Sequence, residues 1–95
     1  LGRAIYKVKG GKMIKIQLAL ENKKIIKDLR ITGDFFLHPE ETIEDIEKAL
    51  RGCSLSKEEL VRIIKETLTS KRAVLLGASP EDLARCIIMA GEESD

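Results

Sequence analysis

The chain has 95 residues and a mass of 10.6 kDa, enough for one small domain and too little for two independent cores. Hydrophobic residues at 43% and charged residues at 35% give a globular balance, not that of a disordered chain. Seventeen Lys plus Arg against sixteen Asp plus Glu leave a net charge of +1, which argues against a duplex-binding protein.

The first third predicts strands. Arg3–Val8 alternates, with Ala4, Tyr6 and Val8 on one face. Lys12–Glu21 alternates more clearly: Ile14, Ile16, Leu18 and Leu20 share one face, and Lys15 and Gln17 lie opposite with Met13 and Ala19. A period of two over that length marks a half-buried strand. Ile25–Gly33 continues the pattern, with Ile25, Leu29 and Ile31 in phase and Asp28 and Arg30 opposite. Gly10-Gly11 suits the positive φ angles of a two-residue hairpin. Asn22-Lys23 suits a second tight turn, because Asn tolerates the left-handed conformation. Residues 1–33 therefore read as a three-stranded antiparallel meander with one face to cover.

Residues 34–91 read as helices. Pro39 is placed to open the first helix, with Glu40 and Glu41 in its first turn and Ile43, Ile46 and Leu50 at helical spacing. Gly52 suits its C-terminal cap. Ser56 and Glu59 have capping-box spacing, with Leu55 and Leu60 placed as a hydrophobic staple and Leu60, Ile63, Ile64 and Leu68 as the apolar stripe. Ala73–Leu76 is short, apolar and extended. Ser79 and Pro80 start the third helix, with Leu83, Cys86, Ile87 and Ala90 on one face. Gly91 is expected to end it, leaving 92–95 as a frayed tail. The expectation is one α+β domain over residues 1–95: an antiparallel sheet with about three helices on one face.

The charge is unevenly spread. Up to Gly33 there are nine Lys or Arg against Glu21 and Asp28; beyond it, eight basic residues face fourteen acidic ones. A basic front half attracts anions, and the acidic remainder fits solvated helix surface. Three aromatics, Tyr6, Phe35 and Phe36, leave an aliphatic core and few platforms for stacking bases. Cys53 and Cys86 are too few for a disulfide scaffold and lack CxxC spacing. A reducing compartment follows. No apolar run approaches the roughly 18 residues of a membrane span. The basic, alternating N-terminal stretch is not a signal peptide, so a cytoplasmic location is expected. The sequence begins without Met, as a trimmed chain or a piece of a longer one would.

No complete active site is visible. His38 is the only histidine and has no companions at metal-ligand spacing. Phosphate-loop and dinucleotide fingerprints are absent. Two segments remain. In Lys7-Val8-Lys9-Gly10-Gly11-Lys12, glycines at a tight turn expose backbone N–H groups and bring three lysines near a phosphate; the plainer reading is a hairpin with solvated lysines. In Ile31-Thr32-Gly33-Asp34-Phe35-Phe36-Leu37-His38-Pro39, the plainer reading has Phe plugging the core and Asp34 satisfying backbone N–H groups. The functional reading puts one Phe at a partner surface. Cys53 precedes a helix start, where a thiol can be activated, but no base is visible; Cys86 falls on an apolar stripe and reads as core.

Taken together, Lys7-x-Lys9-Gly10-Gly11-Lys12-Met13-Ile14, the alternating strand, Ile31-x-Gly33-Asp34-Phe35-Phe36-x-x-Pro39 and the later Gly77-x-Ser79-Pro80-Glu81-Asp82 resemble the C-terminal accessory domain of lipoate–protein ligases. The free-standing archaeal form, a separate small subunit, is the nearer likeness. It covers most of the chain. The resemblance implies a fold like that of sulfur acceptors of the SufE kind. It implies a non-catalytic subunit in a heterodimer, required for ATP-dependent, AMP-forming activation of lipoate to lipoyl-adenylate. ATP, Mg²⁺ and lipoate would sit at the catalytic subunit, none bound by this chain alone. The acceptor would be a lysine of a lipoyl domain or of the glycine-cleavage H protein. Lys7, Lys9, Gly10, Gly11 and Lys12 would face the reacting phosphates or the partner's nucleotide loop. Asp34, Phe35 and Phe36 would shape the interface or brace the turn. One departure stands out: fused bacterial domains commonly carry Pro where Lys9 stands. Two other readings stay open, a sulfur acceptor using Cys53 and a small RNA- or anion-binding module.

Overall fold

The computed structural model describes residues 1–94. Three strands, β1 (Gly2–Lys7), β2 (Met13–Glu21) and β3 (Ile25–Gly33), form the antiparallel meander in the order β1-β2-β3. They are followed by β4 (Phe36–His38), α1 (Thr42–Leu50), α2 (Lys57–Ser70), β5 (Val74–Leu76) and α3 (Pro80–Glu92). Helices α1 and α3 pack on one face of the sheet, and α2 packs against both of them. The α+β architecture is the one expected, with an additional small two-stranded sheet, β4-β5.

The inward side chains make an aliphatic core. Ile14, Ile16 and Leu18 of β2 are buried with Ile46 and Leu50 of α1, Leu60 and Ile64 of α2, and Leu83, Cys86 and Ile87 of α3. Full burial of each large aliphatic side chain contributes roughly 1.5–3 kcal/mol.

The meander departs from the expected pattern in two places. The first hairpin has a three-residue loop, Lys9-Gly10-Gly11, closed by Gly11 N donating to Val8 O (3.0 Å) and Val8 N to Lys12 O (2.6 Å). Gly10 (φ 103°) supplies the positive φ that a type II turn needs at its third residue, and Gly11 (φ 102°) makes the bulge that follows. The second correction lies in β3. A bulge puts Leu20 opposite Ile26 and Ala19 opposite Asp28, so Lys27 is the extra residue. The phase flips there, and Ile26, not Ile25, enters the core. The Asn22-Lys23 turn is tight as expected, both residues having positive φ (54° and 61°) and Lys24 N donating to Glu21 O (3.1 Å), but Glu21 pairs with Ile25, so Lys24 is a third loop residue.

The helix boundaries also shift. Helix α1 begins at Thr42, not at Pro39; Pro39, Glu40 and Glu41 form overlapping turns whose carbonyls accept from Thr42, Ile43 and Glu44. At α2 the capping box is half made. Ser56 Oγ accepts from Glu59 N (3.4 Å), but the Glu59 carboxylate takes the Ser54 hydroxyl (3.2 Å). The reciprocal box stands at α3, between Ser79 and Asp82. Helix α3 runs past Gly91 to Glu92, and Gly91 serves packing and not a cap, since a Cβ there would strike the tip of Leu55. Of the expected 92–95 tail, Asp95 lies outside the described residues.

The β3 edge is closed by neighbours. Ile26 N donates to Cys53 O (2.9 Å), Gly52 N to Ile26 O (2.8 Å), and Ile31 N to the Glu47 carboxylate (2.7 Å). These bonds occupy groups that would otherwise offer a template to another strand.

Candidate functional site

The Gly-Gly hairpin and the Gly33-Asp34-Phe35-Phe36 segment meet at one end of the sheet. Gly33 pairs with Ile14, so the chain leaves β3 beside the start of β2. Asp34 N donates to Met13 O (3.1 Å), and Met13 N donates to Asp34 Oδ1 (2.6 Å). Asp34 thus does the backbone-satisfying work expected of it, and it fastens the residue that follows Lys12. The Phe35 ring lies against Gly33, where an added Cβ would come 2.8 Å from it, and the ring packs on the core.

Phe36 turns the other way and is 54% exposed. Its strand β4 pairs with β5 in the register Phe36 opposite Leu76, Leu37 opposite Leu75 and His38 opposite Val74. Leu37 faces the core, so Phe36, His38, Val74 and Leu76 share the outer face of this ribbon. The Phe36 and His38 rings stack with centroids 6.3 Å apart. Three of the exposed large hydrophobic side chains of the chain, Phe36, Val74 and Leu76, collect here. Sequence reading missed Val74, Leu76 and Gly77. The extended Val-Leu-Leu-Gly segment was the available signal, but its pairing with β4 is a long-range event.

The three lysines are not equivalent. Lys7 opposes Met13 on the outer face of the main sheet. Lys9 is at the second position of the turn. The Lys12 stem runs against Gly77, its Cγ 3.0 Å from where a Cβ would stand, and so ties the hairpin to the loop before α3. Gly10 and Gly11 have open space around them, so glycine is needed there for φ and not for room. Among the described residues, Lys7, Lys9 and Lys12 form no ion pair and keep their charge available. The N-terminal turn of α3 is already occupied. Glu81 accepts from its own backbone N–H and from Lys65 (3.2 Å), which together hold its carboxyl below the usual range. Among the described residues no three His, Cys, Asp or Glu side chains form a metal-holding group. Among the described residues no helix is long and apolar enough to cross a membrane.

Neither cysteine is presented for chemistry. Cys53 is 9% exposed, its Sγ donates to Ala49 O (3.5 Å), and burial, then the charge of Glu59, pushes its pKa up. A persulfide acceptor needs the opposite, an accessible thiolate. Cys86 lies in the core, and burial raises its thiol to about 11. Both thiols are expected to react with a disulfide reagent at pH 8 at least 10-fold more slowly in the native protein than in denaturant. Native Cys53 labelling at the denatured rate would return the sulfur-acceptor reading to contention.

The model of the family described as bacterial lipoate protein ligase C-terminus matches residues 6–87. Lipoate-protein ligase A subunit 2 of Thermoplasma acidophilum is 34% identical over 82 residues, covering 86% of this chain and 82% of that protein. A solved chain from the archaeal lipoylation system of Thermoplasma acidophilum superposes with a TM-score of 0.74 at 33% identity, covering 90% of this chain and 91% of that one. That structure is described as a bi-partite lipoate protein ligase and its E2 lipoyl domain.

Proposed function

The chain belongs to the bacterial lipoate protein ligase C-terminus family, and from that membership we propose that it is the small accessory subunit of a two-part lipoate–protein ligase acting in protein lipoylation. Its partner is the catalytic subunit, where ATP, Mg²⁺ and lipoate bind. The step it serves is activation. A lipoate carboxylate oxygen attacks the α-phosphorus of ATP, the bond to pyrophosphate breaks, and lipoyl-adenylate forms. The catalytic subunit then passes the lipoyl group to a lysine of a lipoyl domain or H protein, releasing AMP.

The observation that carries this reading is the lysine hairpin: flexible in composition, yet fastened by Asp34 on one side and by the Lys12 stem over Gly77 on the other. Adenylation builds negative charge around the α-phosphate and the departing pyrophosphate. Lys9 and Lys12 supply cations for that charge or for the partner's nucleotide loop. Held cations stabilise it more than mobile ones, because less reorganisation is needed as the charge develops. Docking of the small subunit also excludes water from the adenylate, which water would otherwise hydrolyse. The apolar outer face of the β4-β5 ribbon, with Phe36 opposite Leu76 at one end, suits a lasting subunit contact.

The test is ATP–pyrophosphate exchange dependent on lipoate and Mg²⁺, run with the catalytic subunit alone, with this chain alone, and with both. Exchange is expected in the mixture only. Full exchange by the catalytic subunit alone would remove the need for this chain, and no exchange from a folded pair would reject the role in activation.

A further inference from the structure

The helices cover one face of the main sheet and leave the other bare. On the bare face the pairing sets Arg3, Gln17 and Arg30 in one cross-strand row and Ile5, Lys15 and Thr32 in the next. Arg3, Lys15 and Arg30 are exposed, and Lys7 continues the array toward the hairpin. Adjacent strands are about 4.8 Å apart. Neighbouring cations on them lie within about one Debye length at physiological salt, so their fields add. Among the described residues none of these four forms an ion pair. The carboxylates at the β3 margin are partly engaged: Asp28 meets Arg51 at 3.2 Å, and Glu47 accepts from Ile31 N, with Glu44 beyond it on α1. Asp28, opposite Ala19, and Glu21 share this face toward its far end, and the other fourteen acidic residues follow Gly33 in the sequence, so the part of the face around Arg3, Lys15 and Arg30 is cationic in a near-neutral protein.

That face differs in kind from the ribbon. Ile5, 60% exposed, is the large apolar side chain of the second row, and the face carries no aromatic ring. Surfaces of this sort make fast, salt-sensitive encounters, whereas lasting subunit contacts are more apolar. A protein that binds, reacts and leaves in each cycle needs the first kind. The scarcity of aromatics disfavours single-stranded RNA as the occupant.

We propose that the open face of the main sheet, through Arg3, Lys15 and Arg30, receives an acidic surface of the protein that accepts the lipoyl group. The proposal rests on the two-part ligase reading and adds a second contact to it: the ribbon and hairpin face the catalytic subunit, and the open face guides the acceptor.

The experiment uses the assembled two-subunit ligase and an apo E2 lipoyl domain with an acidic surface. The triple variant Arg3→Glu, Lys15→Glu, Arg30→Glu is compared with the milder Arg3→Gln, Lys15→Gln, Arg30→Gln, which guards against misfolding. Lipoylation rates are measured against acceptor concentration at low and high salt, alongside subunit association and pyrophosphate exchange. The KM for the acceptor is expected to rise about 10-fold or more in the Glu variant and less in the Gln variant. The salt dependence seen with the native chain should flatten, while exchange and association hold. An unchanged KM in both variants would overturn the proposal. So would loss of subunit association, which would assign the face to the catalytic subunit, or RNA binding by the native chain that the variants lose while KM stays the same. Failure of the underlying reading shows itself separately, as native subunits without lipoate-dependent exchange; the acceptor contact falls with it.

Discussion

Lys12→Met in the assembled ligase is expected to lower lipoate-dependent ATP–pyrophosphate exchange about 100-fold, the loss typical when one preorganised group facing developing charge is removed. Met is chosen because Lys12 has two separable parts. Its stem lies along Gly77 and holds the hairpin against the loop before α3. Its ammonium forms no ion pair among the described residues. Met keeps most of the stem and removes the charge, whereas Lys12→Ala removes both. If charge is what counts, the two variants lose similar activity and melt near the native temperature. If packing is what counts, Lys12→Met keeps its exchange and only Lys12→Ala suffers. Subunit association, followed by sedimentation, should survive in Lys12→Met. A variant with full exchange and an intact complex would end the phosphate-facing role of this residue.

Gly33→Ala should unfold the chain at a temperature lower by on the order of 10–20 °C, from a loss of about 3 kcal/mol. Gly33 sits where β3 turns away from β2, with φ 157°. A Cβ there would run into the Met13 carbonyl oxygen, which is backbone, and into the Phe35 ring at 2.8 Å. Neither neighbour yields freely. Met13 O is the acceptor for Asp34 N, Met13 N is the donor to Asp34 Oδ1, and Phe35 packs on the core. Moving Met13 would break the brace that holds the lysine hairpin. Gly10→Ala is the contrast. It has no neighbour within 4 Å of the added Cβ and suffers only its positive φ, roughly 1–2 kcal/mol. Thermal unfolding followed by circular dichroism ranks the two. A Gly33→Ala protein melting within a few degrees of native would refute the close approach.

The meander and the three helices were legible because they rest on local rules. Alternation placed Ile14, Ile16 and Leu18 inward, and helical spacing placed Leu83, Cys86 and Ile87 together, all of them buried. The Asn22-Lys23 turn and the Ser79-Pro80 helix start followed from the conformations that those side chains favour. The division of labour between the two phenylalanines was also foreseeable, since a core end takes one ring and a surface is left with the other. The candidate lysines and the Gly-Asp-Phe-Phe segment were visible as residues, and their nearness in space follows from β2 pairing with β3.

What remained was decided by contacts between distant parts of the chain. The bulge at Lys27 answers to the pairing of β3 with β2 and the bonds of Ile26 to the Gly52-Cys53 loop, and no local pattern announces it. Cys53 reads only as a cysteine before a helix start until those same bonds draw its segment alongside β3, where burial raises its pKa. Strands of three residues are too short to carry a period, so β4 and β5 became a ribbon only by meeting each other. The sequence by itself determined which side chains each long strand and helix must bury, because that depends on spacing alone. Only the tertiary structure decided which surfaces were left bare, the apolar ribbon and the cationic sheet face, because exposure depends on what every other element has already covered.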